Sequence, residues 1–465
     1  MKIVIVLILL VIATVVFHFV SPWYFTPIAS NWSAIDDTID LTLVITGTVF
    51  VLVNLFLAYS IYRYRHNKKS RSHYEPENHK LEIGLTIITT VGVAAMLAPG
   101  LFVWSDFINV PKEAHIVEAV GQQWQWSFRI PGKDGVLGKV DSRYVSAANP
   151  FGMDPKDETG QDDILVSGNE LHLPLDKPVK LLLRSKDVLH NFAVPQFRVK
   201  MDLVPGMVTY LWLTPTRTGS FEILCQELCG LAHFVMRGRV IVDSQEDYES
   251  WLTTQPTYAQ TLNKIAGDPA MGKASYAVCG SCHGAQGEGN TALNAPNLNV
   301  MSDWYMARQL NYYKKGIRGA HKDDRFGQQM AAMSATLIDD KAVINIAAYI
   351  QSLPDTAAEE TIAGNTVRGH SYYVTCATCH GKKGEGKFGV NAPRLAGQHD
   401  WYLKRQIENF KDGIRGRHKD DLYGVQMVLM SRILQDERAI NDVVAYINTF
   451  DKSKQTASVK QINKP

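Results

Sequence analysis

The chain has 465 residues, of which 46% are hydrophobic, and its 48 Lys and Arg residues nearly balance 46 Asp and Glu, giving a net charge of +2. This length predicts three or four domains, and the near-neutral balance gives no indication of a nucleic-acid partner. The six cysteines fall into three spaced pairs with none left over, which predicts cofactor ligands rather than a disulfide framework.

Three apolar segments open the chain, at about residues 3–20, 38–62 and 81–104. Each is about long enough to cross a bilayer, although the first is also compatible with a signal peptide. A dense basic run, 63–71, separates the second and third segments. Because such loops stay in the cytoplasm, everything after about residue 108 should lie outside it. Residues 1–110 are therefore predicted to form a membrane anchor.

Glu82 stands at the cytoplasmic start of the third segment. One interpretation is an interfacial glutamate stabilised by the helix dipole. The other is a proton-entry carboxylate, because ionisable groups at membrane depth often mark proton paths. From the residue and its position alone, the first interpretation is favoured.

Residues 111–243 have a different pattern, with short β-rich runs separated by Gly, Pro and Asp. Several short strands with turn signals predict an all-β sandwich. The polar, Gly- and Asp-rich stretch 132–163 is predicted to be a long surface excursion from it.

A cluster of soft ligands lies near the end of this region. Cys225, Cys229, His233 and Met236 occur within twelve residues, and His190 precedes them. Thiolates and imidazole together select copper, zinc or iron–sulfur, and an added thioether points to copper. A structural zinc site, or a buried thiol pair beside a core histidine, remains an alternative at this stage.

The spacing of the two cysteines suggests a dinuclear site. Cys225 and Cys229, four residues apart, could both bridge two metal ions, each of which would take one histidine. Met236 would be the remaining ligand of one ion. A main-chain carbonyl, best placed at Glu227, would be the remaining ligand of the other ion.

After a predicted linker over 244–267 the chain repeats itself. Cys279-Gly280-Ser281-Cys282-His283 recurs 97 residues later as Cys376-Ala377-Thr378-Cys379-His380. This is a duplicated domain, predicted over 268–354 and 365–451, because each copy is large enough to fold. Cys-x-x-Cys-His is the attachment sequence of c-type haem. A lone copy could be a zinc half-site or a thioredoxin-like pair, but two copies in register, with no other cysteines to complete zinc sites, predict haem.

A methionine is the expected sixth ligand, because it raises the potential of the iron for electron transfer. A proline carbonyl in each repeat is placed to orient the proximal histidine. The candidates in the sequence are Met330 or Met333 with Pro296 in the first repeat, and Met427 or Met430 with Pro393 in the second.

Four motifs together resemble subunit II of cytochrome c oxidase over about residues 35–243. They are Gly121 to Phe128, Asp187 to His190, Val199 to Gly206, and the Cys225–Met236 loop. The resemblance implies a cupredoxin-like domain holding the dinuclear copper centre CuA. Its implied ligands are His190, Cys225, Glu227 through its carbonyl, Cys229, His233 and Met236.

The same resemblance assigns further roles. It implies that the Glu227 side chain reaches a magnesium ion at the border with subunit I. Trp124 becomes the electron-entry residue, with Trp126 in the same aromatic patch, and Glu82 aligns with the mouth of the K proton pathway. The third apolar segment departs from the family pattern, because it lacks the usual tryptophan and proline after Glu82.

The repeated half resembles tandem dihaem cytochromes of the c4 type. In that family the axial methionine lies seven residues before the leucine that opens the last helix. Leu337 and Leu434 then select Met330 and Met427.

The sequence as a whole predicts a multidomain protein. It should contain a transmembrane helical hairpin with an N-terminal helix or signal peptide, a cupredoxin-like β-sandwich and two all-α class I cytochrome c domains. The expected function is subunit II of a haem–copper oxidase, which passes electrons from cytochrome c through two covalent c haems and CuA to subunit I. Oxygen would be reduced to water there, in a separate subunit, with proton pumping.

Other expectations follow from the same prediction. The partners are subunits I and III, a cytochrome c or other donor, and membrane lipid, with no nucleic acid. The location is the bacterial inner membrane, with the copper and cytochrome domains on the periplasmic face. Two alternatives stay open: a CuA-containing nitric oxide reductase subunit, and a membrane-anchored electron shuttle.

Overall fold

The computed structural model describes residues 2–21, 25–66, 76–145, 149–262, 267–356 and 358–450. Most of the predicted basic run, from residue 67 onward, lies outside these residues. The chain divides into two compact units. The first comprises residues 1–119, 170–227 and 238–254, and the second comprises 120–169, 228–237 and 255–465.

Three long helices open the first unit: α1 (Lys2–Val20), α2 (Ser33–Arg63) and α3 (His79–Ile108). Each is long and apolar enough to cross a membrane, with mean hydropathies of 3.2, 2.3 and 1.9. Most of their apolar side chains are exposed, as expected of surfaces that face lipid. The three predicted segments are thus confirmed as helices. Helix α2 begins at Ser33, before the predicted start at about residue 38, because a polar helical turn precedes the apolar run.

Two five-stranded sheets follow, with strand orders β3-β2-β1-β5-β8 and β4-β10-β9-β6-β7. This confirms the predicted sandwich. The strands are β1 (His115–Gln122), β2 (Gln125–Ile130), β3 (Ile164–Ser167), β4 (Glu170–Pro174), β5 (Val179–Ser185), β6 (His190–Val194), β7 (Val199–Leu203), β8 (Thr209–Leu213), β9 (Gly219–Leu224) and β10 (Arg237–Asp243).

The pairing of β6 with β9 sets the position of the predicted ligands in the first unit. The two strands are antiparallel, with Ala193 opposite Leu224. The chain therefore leaves β9 at Cys225 close to the first residue of β6, which is His190.

Aromatic and charged contacts join the membrane helices to the first unit's part of the sandwich. Trp32, just before α2, packs on Trp212 of β8 with ring centroids 4.8 Å apart and donates its indole N–H to the Trp212 carbonyl. Trp212 in turn donates to the Phe107 carbonyl at the end of α3 (3.0 Å). Arg198 forms an ion pair with Asp36 in the first turn of α2. The ends of both helices are therefore held by side chains of the β-domain.

Residues 132–163, which were predicted to be a surface excursion, are only partly exposed. Phe151 and Met153 are fully buried in the second unit, where they pack with Val120, Leu165 and Tyr258. The sequence did not reveal this cluster because its apolar residues are few and follow neither helical nor strand periodicity.

The predicted linker contains two helices, α4 (Gln245–Thr254) and α5 (Tyr258–Leu262). Tyr258 of α5 packs into the buried cluster that contains Phe151 and Met153. Residues 263–266 lie outside the described chain.

The second unit contains two helical domains with the same element order. The first has α6 (Pro269–His283), α7 (Asp303–Lys314), α8 (Arg325–Ser334) and α9 (Asp340–Ser352). The second has α10 (Thr366–His380), α11 (Asp400–Lys411), α12 (Leu422–Ser431) and α13 (Glu437–Asn448). Both domains are all-α, as predicted, and each Cys-x-x-Cys-His motif ends the first helix of its domain.

In each copy the first helix meets the last at a glycine. A Cβ on Gly272 would lie 2.0 Å from the Asn345 carbonyl oxygen, and one on Gly369 would lie 2.0 Å from that of Asp442. Only glycine lets the helices approach this closely, and the contact positions the end of the helix that carries the cysteines.

We expect Gly272→Ala to lower the free energy of unfolding of the first helical domain by about 1–3 kcal/mol, the usual range for overpacking. Native-state hydrogen exchange of the α6 and α9 amides measures this locally. Ser275→Ala, at an exposed position of the same helix, is the control. Equal exchange rates in the two variants would contradict the prediction.

Candidate metal centre and haem sites

The first group of ligands lies where β6 begins and β9 ends. The Cys225 Sγ is 4.0 Å from His190 Nδ1 and 3.3 Å from the Glu227 carbonyl oxygen. Asp187 Oδ1 lies 2.8 Å from His190 Nε2, which orients the ring so that Nδ1 faces the sulfur. Burial by itself lowers the pKa of His190, but its contacts with Asp187 and Cys225 outweigh burial and raise it.

The second group lies further along the loop. The Cys229 Sγ is 3.4 Å from His233 Nδ1 and 3.9 Å from Met236 Sδ. Cys229 and Met236 are almost completely buried, at 2% and 1% exposure. His233 begins a short 3-10 turn (His233–Val235) that brings the imidazole and the thioether back toward the same sulfur.

The donor set fits a soft metal. Cys225 and Cys229 are free thiols, and each has an imidazole of its own unit beside it. Thiolate, imidazole and thioether donors together favour copper over zinc, which rarely takes methionine.

Trp124 lies against this loop. It occupies the turn before β2, and its indole N–H donates to the Cys229 carbonyl (3.2 Å), as does the Gln123 amide (2.7 Å). Gly230 allows this approach, because a Cβ there would lie 3.0 Å from the Trp124 ring. Trp126 lies in β2 and has no exposed surface. The structure therefore places Trp126 in the core and Trp124 next to a ligand.

The histidines of the two repeats have matching environments. His283 Nδ1 lies 2.9 Å from the Pro296 carbonyl oxygen, and His380 Nδ1 lies 2.8 Å from that of Pro393. This confirms the predicted contact and leaves each Nε2 available to bind iron. Burial lowers the pKa of both histidines, which favours the neutral imidazole that a metal requires.

A cavity beside the second Cys-x-x-Cys-His motif has a lining that fits a bound haem. Cys376, Cys379 and His380 line one part of it, and Met427 and Met430 line another. Burial raises the pKa of Cys376 to about 12 and that of Cys379 to about 11. An apolar cavity lined by a Cys-x-x-Cys-His set and methionine has the composition that haem binding requires.

The sequence did not predict a set of buried arginines between the two helical domains. Arg318 donates to Gln309 of its own domain and to Tyr402 and Gln406 of the other. Arg415 makes the equivalent bonds to Gln406, Tyr305 and Gln309. The repeated Gly-Ile-Arg-Gly sequence was the feature from which these arginines could have been predicted.

Arg415 and Gln406 also line the cavity, where a guanidinium is suited to bind carboxylates.

Two further predicted residues are Glu82, which lies in α3 apart from these clusters, and Glu227, whose side chain lies at the edge of the first group of ligands. Glu82 is in the first turn of α3, and its carboxylate is 3.5 Å from His79 Nδ1 and largely exposed. The Glu227 side chain is half-buried.

Comparisons with known proteins agree with these sites. Residues 115–244 match the family described as "Cytochrome C oxidase subunit II, periplasmic domain", and residues 269–354 and 366–451 both match "Cytochrome c". The alternative cytochrome c oxidase subunit 2 of Bradyrhizobium diazoefficiens is 54% identical over 276 residues, covering 59% of this chain and 98% of that protein.

Two other relatives extend the comparison. Cytochrome c oxidase subunit 2 of Cereibacter sphaeroides is 28% identical, covering 49% of this chain and 77% of that protein. The crystal structure of reduced cytochrome c4 from Pseudomonas stutzeri is 25% identical with a TM-score of 0.33, covering 40% of this chain and all of that one. This chain belongs to the cytochrome c oxidase subunit II family and carries a tail of two cytochrome c domains.

Proposed function

We propose that this subunit conducts electrons from a cytochrome c or another donor, through two covalent c haems and the dinuclear CuA centre, to subunit I of a haem–copper oxidase. Oxygen is reduced to water in subunit I, with proton pumping. The observation that carries the proposal is the convergence of thiol, imidazole and thioether groups in one loop of a chain that also has two haem-binding sets.

The copper centre is assigned to one strand and one loop. Cys225 and Cys229 would hold the copper ions through their thiolates, and His190 and His233 would do so through their imidazoles. Two further ligands complete the set, the Met236 thioether and the Glu227 carbonyl. The short contacts from each sulfur to its own imidazole support this division. When bound, the copper centre would supply one-electron transfer at this loop.

The haem sites use the two repeats in the same way. Cys279 and Cys282, and likewise Cys376 and Cys379, form the thioether links, while His283 and His380 bind iron from one side. Met330 and Met427 are assigned as the opposite ligands. Exposure supports the choice in the first repeat, where Met333 is 41% exposed and Met330 is half-buried.

The membrane part is assigned to the inner membrane of a bacterium, with the copper and cytochrome domains on the periplasmic face. Glu82 is proposed as the carboxylate at a proton-entry point, supported by its exposed position at the start of α3. The Glu227 side chain is proposed to bind magnesium at the subunit I border. Trp124 is the electron-entry residue, with Trp126 packed behind it in β2. Subunit III and membrane lipid complete the proposed partners.

The proposed domain organisation follows the sequence boundaries. It comprises a membrane anchor (1–110), a CuA domain (111–243), a connecting segment (244–267) and two cytochrome c domains (268–354 and 365–451). The strand and helix bounds support these boundaries, and the helices α4 and α5 make the connecting segment structured.

Purification of the complex from membranes tests the central assignment. We expect copper and two covalent haems in this subunit, and consumption of oxygen rather than nitric oxide. Cys229→Ser removes a bridging thiolate and should abolish the CuA spectrum while leaving covalent haem unchanged. Copper analysis, electron paramagnetic resonance and haem assay provide the readouts. A wild-type subunit without copper would refute the proposal.

Asp187→Asn should weaken copper binding by about 10–100-fold, because the carboxylate that orients His190 is replaced by a neutral amide. Competition with a copper chelator measures the affinity. Asp176→Asn makes the same charge change at an exposed position of the same domain and should leave affinity unchanged. Equal affinities in both variants would show that Asp187 does not support the ligand.

Met427→Leu should lower the midpoint potential of one c haem by on the order of 0.1 V or more, because the axial ligand strongly sets haem potential. Met430→Leu removes the neighbouring thioether of the same cavity and should have a small effect. A redox titration followed by haem absorbance distinguishes the two variants. A larger shift in Met430→Leu would reassign the ligand.

A further inference from the structure

The two cytochrome domains are repeats, yet the second contacts the turn that carries Trp124. The Gln426 amide donates to the Trp124 carbonyl (3.1 Å), and the Asn391 amide contacts the Gln125 side-chain oxygen (3.3 Å). The equivalent residues of the first domain are Gln329 and Asn294. Gln329 is exposed to solvent, and Asn294 accepts a hydrogen bond from Arg405 of the second domain, just as Asn391 accepts one from Arg308 of the first. The asymmetry therefore lies in the bonds from Gln426 and Asn391 to the Trp124 turn.

Both contacts come from segments that hold the haem site. Gln426 immediately precedes Met427, and Asn391 lies two residues before Pro393, whose carbonyl contacts His380. On the other side, the Trp124 indole donates to the Cys229 carbonyl. A path of covalent bonds and two hydrogen bonds therefore runs from Met427 to the ligand Cys229.

The residues around the first haem site are more exposed than their counterparts around the second. In the first domain Val278, Leu293 and Met333 are 55%, 51% and 41% exposed, and Cys282 is also exposed. Their counterparts 97 residues later are all half-buried: Thr375, Val390, Met430 and Cys379.

Residues next to the proposed copper ligands bury the second haem site. The four half-buried counterparts line a cavity that also includes Trp124, Ala232 and Val235. Ala232 and Val235 flank the copper ligand His233. The residues around the second Cys-x-x-Cys-His motif are thus covered by the segment that flanks His233, whereas their counterparts around the first motif are exposed to solvent.

The two domains also meet each other directly. Arg318 donates to Tyr402 across the seam, and Arg415 donates to Tyr305 in return. Arg308 adds a bond to the Asn391 side chain. These reciprocal contacts hold the two cytochrome domains together, while the bond from Gln426 holds the second domain against Trp124.

From this asymmetry we infer that the order of transfer is fixed. The first cytochrome domain (Cys279, Cys282, His283) accepts the electron from the external donor, and the second (Cys376, Cys379, His380) delivers it through Trp124 to the copper loop. Each transfer oxidises one centre by one electron and reduces the next by one, with no proton required. The inference rests on the proposed electron-transfer function and adds the sequence of the carriers.

Isosteric variants test the contact. Asn391→Asp and Gln426→Glu together remove both amide donors while keeping side-chain size, and Asp is tolerated at the positive φ of 55° found at Asn391. Rapid photoreduction of the c haems, followed by absorbance of the copper centre, should show reduction of copper slowed on the order of tenfold or more, as the loss of two hydrogen bonds implies.

The repeat supplies a matched control. Asn294→Asp and Gln329→Glu make the same changes in the first domain, and Asn294 has nearly the same φ of 57°. This pair should leave the rate of copper reduction unchanged.

Disulfide trapping gives a readout independent of electron transfer. Gln125→Cys with Asn391→Cys should form a cross-link that mass spectrometry of unreduced peptides detects, in protein whose haem and copper contents match the wild type. Gln125→Cys with Asn294→Cys should not form one.

Trapping at Asn391 together with slowing only in the second-domain variants supports the proposed order. Trapping at Asn294, slowing of equal size in the first-domain variants, or no slowing in either pair would overturn it. Absence of copper or haem from the wild-type subunit would instead refute the proposed function, so the two failures are distinguishable.

Discussion

The antiparallel pairing of β6 with β9 is the constraint on which the proposed copper site depends. It brings His190, at the start of one strand, beside Cys225, at the end of the other. Because sheet hydrogen bonds hold both strand ends, the first thiol and imidazole need little loop order to approach each other. The remaining ligands then require only that one loop turn back toward Cys229, and Gly230 and the short turn at His233 allow this.

The cytochrome tail shows how two copies of a duplicated sequence come to differ in their surroundings. Within each copy the equivalent contacts are retained, from the glycine between the first and last helices to the histidine–proline bond. The differences are at the surface, where Gln426 contacts Trp124 and Gln329 faces solvent. Duplication preserved the internal packing that binds a haem, whereas the neighbours of each copy determine what that haem can exchange electrons with.

Local patterns predicted most of the fold. The apolar runs, the short strands and the Cys-x-x-Cys-His repeats each depend on nearby residues, so their helices, strands and histidine–proline contacts agree with the structure. Features that depend on distant residues were not predictable in this way. The buried cluster around Phe151 and Tyr258 joins segments about a hundred residues apart. Trp124 and Trp126 are both buried, at 4% and 0% exposure, and this burial depends on how the sheets stack rather than on strand alternation.

The arginines between the cytochrome domains also bear on where charge settles in the tail. Arg318 and Arg415 are both almost fully buried, and the hydrogen bonds described above join them to tyrosine and glutamine side chains. In a medium of low polarisability such cations extend a positive potential into the adjoining cavity, which Arg415 lines. A negatively charged group is therefore more stable in that cavity than a neutral group of the same shape.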